Sequence, residues 1–286
     1  MKKVLLYNFY VNDVVTDNKN YIIHKECLKH YRDVFDKMIF YISITDLNDK
    51  ESLNSAIDMI KEICEGKSFD LKIRQTTFLC EADVFNHELI ENRQSYKDSF
   101  VFVAHTKNVT RLTKNLEVSA PLGWNGHDTV PESVIKWCIG SYFYSLNFIN
   151  EVEKKLLGCP LSPDLFYGPF LTQFDESNFS EINITKSKCF YVGTFYWINM
   201  AKFNNLIDLG KLKLPTIDDR YFFEILPSVI CNRYNWGGGL SSHNEVCITS
   251  EFDLYKMNDS EWDYLISILG DGYDYWNFYG KIRQKV

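Results

Sequence analysis

The amino-acid sequence predicts an α/β protein with a Rossmann-type half, and three features carry that expectation. Short apolar runs alternate with helix-period segments from Lys3 to Ala104, the pattern of strands joined by helical crossovers. Of the apolar runs at Val4–Leu6, Met38–Ile44 and Phe100–Ala104, the last reads as a strand buried on both faces. The last of them ends abruptly in His105, Thr106 and Lys107, where open α/β sheets place their ligands.

In chain order, Lys3 to Phe9 reads as the first strand. The start Met1-Lys2-Lys3-Val4-Leu5-Leu6 imitates a signal peptide, but Asn8, Asn12 and Asp13 interrupt it too early. Tyr21 to Arg32 places Ile22, Ile23, Cys27, Leu28 and Tyr31 at helical spacing, and Met38 to Ile44 is the second strand. A helix over Lys50 to Glu65 has Asn48 or Asp49 as its cap and Gly66 as its left-handed stop. Phe69 to Arg74 is a strand, Val84 to Gln94 a helix, and Ser99 to Ala104 the fourth strand, which completes a β-α-β-α-β-α-β half with parallel pairing.

Beyond it, Val109 to Asp128 reads as a long polar loop, of the kind that is usually functional. Pro131 opens a single helix that runs to Leu157 and stops at Gly158. Asp164 to Leu171 reads as a strand bent at Gly168-Pro169, and Cys189 to Trp197 as a strand rich in aromatics. Helices follow at Asn199 to Leu209 and Asp218 to Ile230, and the tail holds one more at Asp259 to Leu269. The domain reading is 1–235 as one unit, divided into halves 1–108 and 109–235, with 236–286 a C-terminal extension packed on it.

The bulk properties exclude several classes. Of the 286 residues, 45% are hydrophobic and 16% aromatic, too many for a disordered chain. A net charge of −7 without a basic stripe argues against nucleic-acid binding. No stretch approaches the length of a membrane-spanning helix, so a cytoplasmic protein is expected. The eight cysteines are scattered without CxxC pairs, which suits buried thiols in a reducing compartment and supplies neither disulfides nor a zinc set. Neither G-x-G-x-x-G nor a P-loop is present.

Three groups of residues carry candidate chemistry. His105, Thr106 and Lys107 offer hydrogen-bond donors and a positive charge at a strand's carboxyl end, which suits phosphate; alone, they read equally well as a solvated strand end. Asp218, Asp219 and Glu224 supply a carboxylate able to act as general base, although an N-terminal acid and an Arg220–Glu224 ion pair four residues apart explain them as simply. In Gly193-Thr194-Phe195-Tyr196-Trp197 the indole or phenol could stack on a sugar, with Trp124 and His127 contributing, whereas strand aromatics are ordinarily core.

Taken together, the strand ending His105-Thr106-Lys107, the run Gly193-Thr194-Phe195-Tyr196-Trp197 and the Arg220–Glu224 pair resemble bacterial and viral polysaccharide glycosyltransferases of the GT-A fold, with the rhamnan-synthesis transferases a related branch. The resemblance spans about residues 3 to 231. It implies a GT-A-like nucleotide-binding half with a mixed central sheet and transfer of a sugar from a nucleoside-diphosphate donor to a glycan or lipid-linked glycan. It implies donor contacts from Tyr7, Asn8, Phe9, His105, Thr106 and Lys107, acceptor contacts from Gly193, Thr194 and Trp197, and a base at Glu224 or Asp219. Peripheral association with a membrane is compatible with such an acceptor.

Two positions depart from the family pattern: Asn108 replaces the glycine after the lysine, and the later aromatics read Phe195-Tyr196-Trp197. No Asp-x-Asp occurs, so Mg²⁺ or Mn²⁺ is not required by the motif, and no metal ligand is assigned. His105 and Lys107 are then the groups that neutralise the leaving diphosphate. An inactive nucleotide-sugar- or glycan-binding protein of the same fold, and a nucleotidyltransferase, are the alternatives.

Overall fold

The computed structural model describes residues 1–11, 15, 19–77, 81–106, 132–157, 165–169, 171–173, 189–191, 194–212, 223, 226–227, 230, 240–241, 247–248, 258–269 and 272–286. Four strands alternate with helices in the first part: β1 (Lys2–Val11), α1 (Lys19–Tyr31), β2 (Lys37–Ile44), α2 (Lys50–Ile63), β3 (Phe69–Gln75), α3 (Glu81–Phe85) and β4 (Ser99–His105). α2 begins where Asp49 accepts a hydrogen bond from Ser52 N (3.1 Å), and Gly66, at φ 76°, follows its end in the left-handed region. The segment expected as one helix over 84–94 is instead α3, a π-helical stretch (Asn86–Glu91) and a 3₁₀ turn (Arg93–Tyr96).

The second part contributes α4 (Glu132–Leu146), α5 (Ile149–Leu157), β5 (Phe166–Tyr167), β6 (Leu171–Gln173), β7 (Cys189–Tyr191), β8 (Tyr196–Asn199), α6 (Met200–Asp208), β9 (Leu240–Ser241), β10 (Cys247–Ile248), α7 (Asp259–Leu269) and α8 (Gly272–Arg283). Four expectations are corrected by these elements. The single helix to Leu157 is two helices broken at Asn147 and Phe148. The segment at 164–171 divides between β5 and β6, and that at 189–197 between β7 and β8; each pair contributes to two different sheets. The tail holds a second helix, α8, beside the one expected. The helix expected over 218–230 falls largely outside the described residues.

The main sheet has seven strands in the order β3-β2-β1-β4-β8-β5-β9, and β10-β6-β7 form a smaller one. β1 to β4 are parallel; β8 runs antiparallel to both β4 and β5, and β5 and β9 are parallel, so the sheet is mixed. Successive crossovers run from β1 outward to β2 and β3, and the chain then returns past β1 to form β4. β1 and β4 therefore flank the topological switch point of the sheet, the place where open α/β sheets form a ligand crevice.

β1 divides the core into two layers. Leu5, Tyr7, Phe9 and Val11 point toward α1 and α4, while Val4 and Leu6 join Ile39, Val101, Val103 and Ile198 on the other face. In the first layer a buried polar chain crosses the apolar packing: Tyr7 and Tyr142 hydroxyls lie 3.0 Å apart, and His24 Nδ1 is 2.8 Å from the Tyr142 hydroxyl. Burial raises the pKa of both phenols well above its ordinary value, so they remain neutral hydrogen-bonding groups. α8 docks on the same layer, its Tyr275 hydroxyl donating to Lys136 O (2.7 Å) and its ring stacking on Tyr144.

Tyr142→Phe removes both hydrogen bonds from a site with no access to water, and is expected to cost about 1–3 kcal/mol in urea denaturation while the far-UV spectrum is unchanged.

Candidate functional site

The site is built where the alternation of β1, β2 and β4 changes character. On the face covered by α3, the side chains are apolar along Val4, Leu6, Ile39, Val101 and Val103, and turn polar toward the carboxyl edge at Asn8, Ser43 and His105. Because side chains alternate with period two, these three share the face of the apolar residues two positions before them. Ser43 Oγ donates to Asn8 Oδ1 (2.6 Å), and Asn8 pairs in register with His105. Asn8 Nδ2 is buried without a hydrogen-bond partner among the described residues.

Thr106 ties the two strands of the crevice together. Its backbone N donates to Asn8 O (3.1 Å), and its hydroxyl accepts from Tyr10 N (2.8 Å). Both strand ends are thus held at fixed separation by a side chain that is itself buried. His105 Nδ1 lies 3.8 Å from the Glu81 carboxylate, and both side chains are largely shielded from water. Glu81 is the first residue of α3, whose Ala82, Val84 and Phe85 pack in the same layer as Leu6 and Val103. An imidazole beside a carboxylate in such a place can stabilise positive charge or move a proton.

On the far side of the sheet end, the amino terminus of β8 meets the carboxyl end of β4, with Val103 opposite Tyr196 and the Phe195 ring 6.0 Å from His105. Thr194, just before it, is buried and adopts φ 57°. A β-branched residue rarely occupies that region, which costs about 1–3 kcal/mol and concentrates at functional positions.

The expected site residues are distributed as follows. Asn8, His105 and Thr106 are brought together at the switch point, and Thr194 stands at its β8 side. Tyr7 and Phe9 belong to the core: Tyr7 bonds to Tyr142, and Phe9 stacks on Tyr21 at 5.3 Å. Neither ring is exposed to a base, which corrects the direct donor contact expected of them. Trp197 is also corrected, from a sugar-stacking surface to a core anchor. It is fully buried, donates from Nε1 to Ser145 O (2.8 Å), and packs against Phe102 and Phe35. Lys107, Gly193, Asp219 and Glu224 lie outside the described residues, as do Trp124, His127, Asp218 and Arg220.

Sequence reasoning missed Glu81 and the polar cluster beneath it. Glu88, on the π-helical stretch, is buried and accepts hydrogen bonds from Tyr41, Tyr96 and Lys72, while Arg74 pairs with Asp83. Burial works to raise the Glu88 pKa, but the hydrogen bonds from Lys72, Tyr41 and Tyr96 outweigh it and hold the carboxyl below its ordinary range. Tyr41, by burial and then by its bond to Glu88, is pushed up to about 12. The available signal was parity: Tyr41 and Ser43 share a strand face, as do Lys72 and Arg74 on the neighbouring strand. Among the described residues no group of three or more His, Cys, Asp or Glu side chains is placed to hold a metal ion. No helix among them is long and apolar enough to cross a membrane.

Comparison with protein-family profiles, curated proteins and solved structures yields no significant match.

Because the Glu88 pKa is depressed on folding, its stabilisation is present above the unfolded carboxyl value and is lost as pH falls through the folded one. Glu88→Gln is therefore expected to lower stability by about 1–3 kcal/mol at neutral pH, with the difference from the parent closing below about pH 4 in denaturation curves recorded across pH.

Proposed function

We propose that the protein binds a nucleoside-diphosphate sugar at the crevice between the carboxyl ends of β1 and β4, and transfers the sugar to a glycan acceptor. The observation that carries this reading is the convergence of Asn8, His105 and Thr106 at the switch point of a mixed sheet whose first four strands are parallel. Ligands of open α/β sheets bind at that place, and hydrogen-bond donors there suit phosphate oxygens. The resemblance of the strand-end residues and of Gly193 to Trp197 to GT-A polysaccharide glycosyltransferases supplies the sugar.

In this reading His105, with the Lys107 ammonium beside it in sequence, offsets the charge that develops on the diphosphate as it leaves. Thr106 holds the crevice open at a fixed width. Glu224, or Asp219, takes the proton from an acceptor hydroxyl. The acceptor oxygen forms the new bond to the anomeric carbon as the bond to the diphosphate oxygen breaks, and its electron pair leaves with the diphosphate. An in-line attack of this kind inverts the anomeric centre. The acceptor approaches past Thr194, at the amino end of β8. The reaction belongs to the cytoplasm, where peripheral contact with a membrane would present a lipid-linked acceptor.

The burial of Trp197 favours a second reading, in which the crevice binds the donor without transferring it, because the stacking surface that the resemblance implies is occupied by core packing.

A thermal-shift screen against nucleotide sugars is expected to find a donor that raises the melting temperature, since it binds only the folded chain. His105→Gln and Lys107→Ala are expected to weaken that binding, whereas Glu224→Gln spares it and lowers turnover by about 10²–10⁴-fold. Donor binding by the parent with no transfer to any glycan supports the second reading; no donor binding removes both. Turnover that EDTA abolishes and Mn²⁺ restores would contradict charge neutralisation by His105 and Lys107 alone.

A further inference from the structure

A concave site lies away from the switch point, toward the amino ends of the strands. In a parallel βαβ unit the helix runs back against its strands, so the C-terminal end of α1 sits by the strands' amino ends. There α1 and α8 line an open cavity of about 260 Å³, to which Phe278 and Ile282 contribute apolar surface and Lys29, Lys281 and Lys285 positive charge. The His30 and Phe278 rings pack at 4.4 Å and form one wall. Three lysines line this one small cavity in a chain whose overall charge is −7.

The pairing of those lysines is uneven. Lys285 meets Glu26 at 2.6 Å and Lys29 meets Glu62 at 2.9 Å, in ion pairs that are partly exposed and so weakly held. Lys281 has no carboxylate partner among the described residues. Partial desolvation, and then the charge of Lys281, lower the pKa of His30 from its ordinary value. With Glu26 counted against the three lysines the lining keeps a net positive charge, and a compact anion of two or more charges can engage Lys281 while drawing Lys29 and Lys285 from weak pairs.

We propose that the cavity between α1 and α8 is a binding site for a phosphate-bearing anion, with Lys281 as its primary contact, Lys29 and Lys285 completing the charge, and Phe278 packing against the apolar part of the ligand. The site is independent of the crevice at β1 and β4, and does not rest on the donor reading.

Calorimetry and NMR of the His30 ring with inorganic pyrophosphate test it, alongside flotation with phosphatidic acid vesicles and with phosphatidylcholine vesicles. Lys281→Ala is the decisive variant; its side chain is exposed, so the fold is expected to survive, and a melting curve checks this. Lys154→Ala, on α5, is the control for a general surface-charge effect. Saturable pyrophosphate binding that shifts the His30 signals and weakens about tenfold or more in Lys281→Ala supports the site and a soluble ligand. Binding to phosphatidic acid vesicles alone, with the same dependence on Lys281, supports the site and a lipid headgroup as its source. No binding to either, or equal weakening by Lys154→Ala, overturns the proposal.

Discussion

β1 is hydrogen-bonded to parallel partners on both edges, and its two faces are buried under different layers of helix. That one constraint sets the positions of the rest. Parallel pairing requires a crossover between strands, so α1 and α2 cover one route and α3 with its π-helical continuation covers the return to β4. Because the return passes β1, the ends of β1 and β4 flank the switch point of the sheet. Thr106 closes the backbone hydrogen bonding of both strand ends at that point, which leaves the adjoining side chains free to be polar.

The two faces of the sheet meet the same problem of buried polar groups differently. Beneath α1 and α4 the polar chain of Tyr7, Tyr142 and His24 is enclosed by aromatic rings and carries no obligatory charge. Beneath α3 the polar groups are charged and graded toward the edge: Glu88 with Lys72, Tyr41 and Tyr96 inside, then Arg74 with Asp83, then His105 with Glu81. A buried carboxylate is costly unless hydrogen bonds surround it, and Glu88 has three donors. The band therefore supports α3 over the crevice without depending on apolar burial alone. The strained backbone of Thr194 sits at the same edge, so irregularity and charge are concentrated where the sheet opens.

Local pattern made the first half of the fold legible. The strands and helices from β1 to α2 follow from apolar runs, helical spacing, the Asp49 cap and Gly66, all of which act within a few residues. The second half depends on non-local choices. The continuous β propensity of Cys189 to Trp197 did not reveal that the chain changes sheets within it, and the apolar face of α4 and α5 did not reveal the break at Asn147. His105 and Thr106 were legible because their chemistry follows an apolar strand directly. Glu81 and Glu88 were not, since their partners are supplied by strands far away in sequence. Trp197 shows the reverse difficulty: an aromatic in a strand reads the same whether it faces a ligand or, as here, the core.

Hydrogen–deuterium exchange in the presence and absence of a nucleoside diphosphate tests the central claim most directly, because it reports which backbone segments the ligand covers. Protection at the ends of β1 and β4, at 8–11 and 104–106, is the expected result. No change at those segments at saturating ligand would contradict the placement of the donor at the switch point.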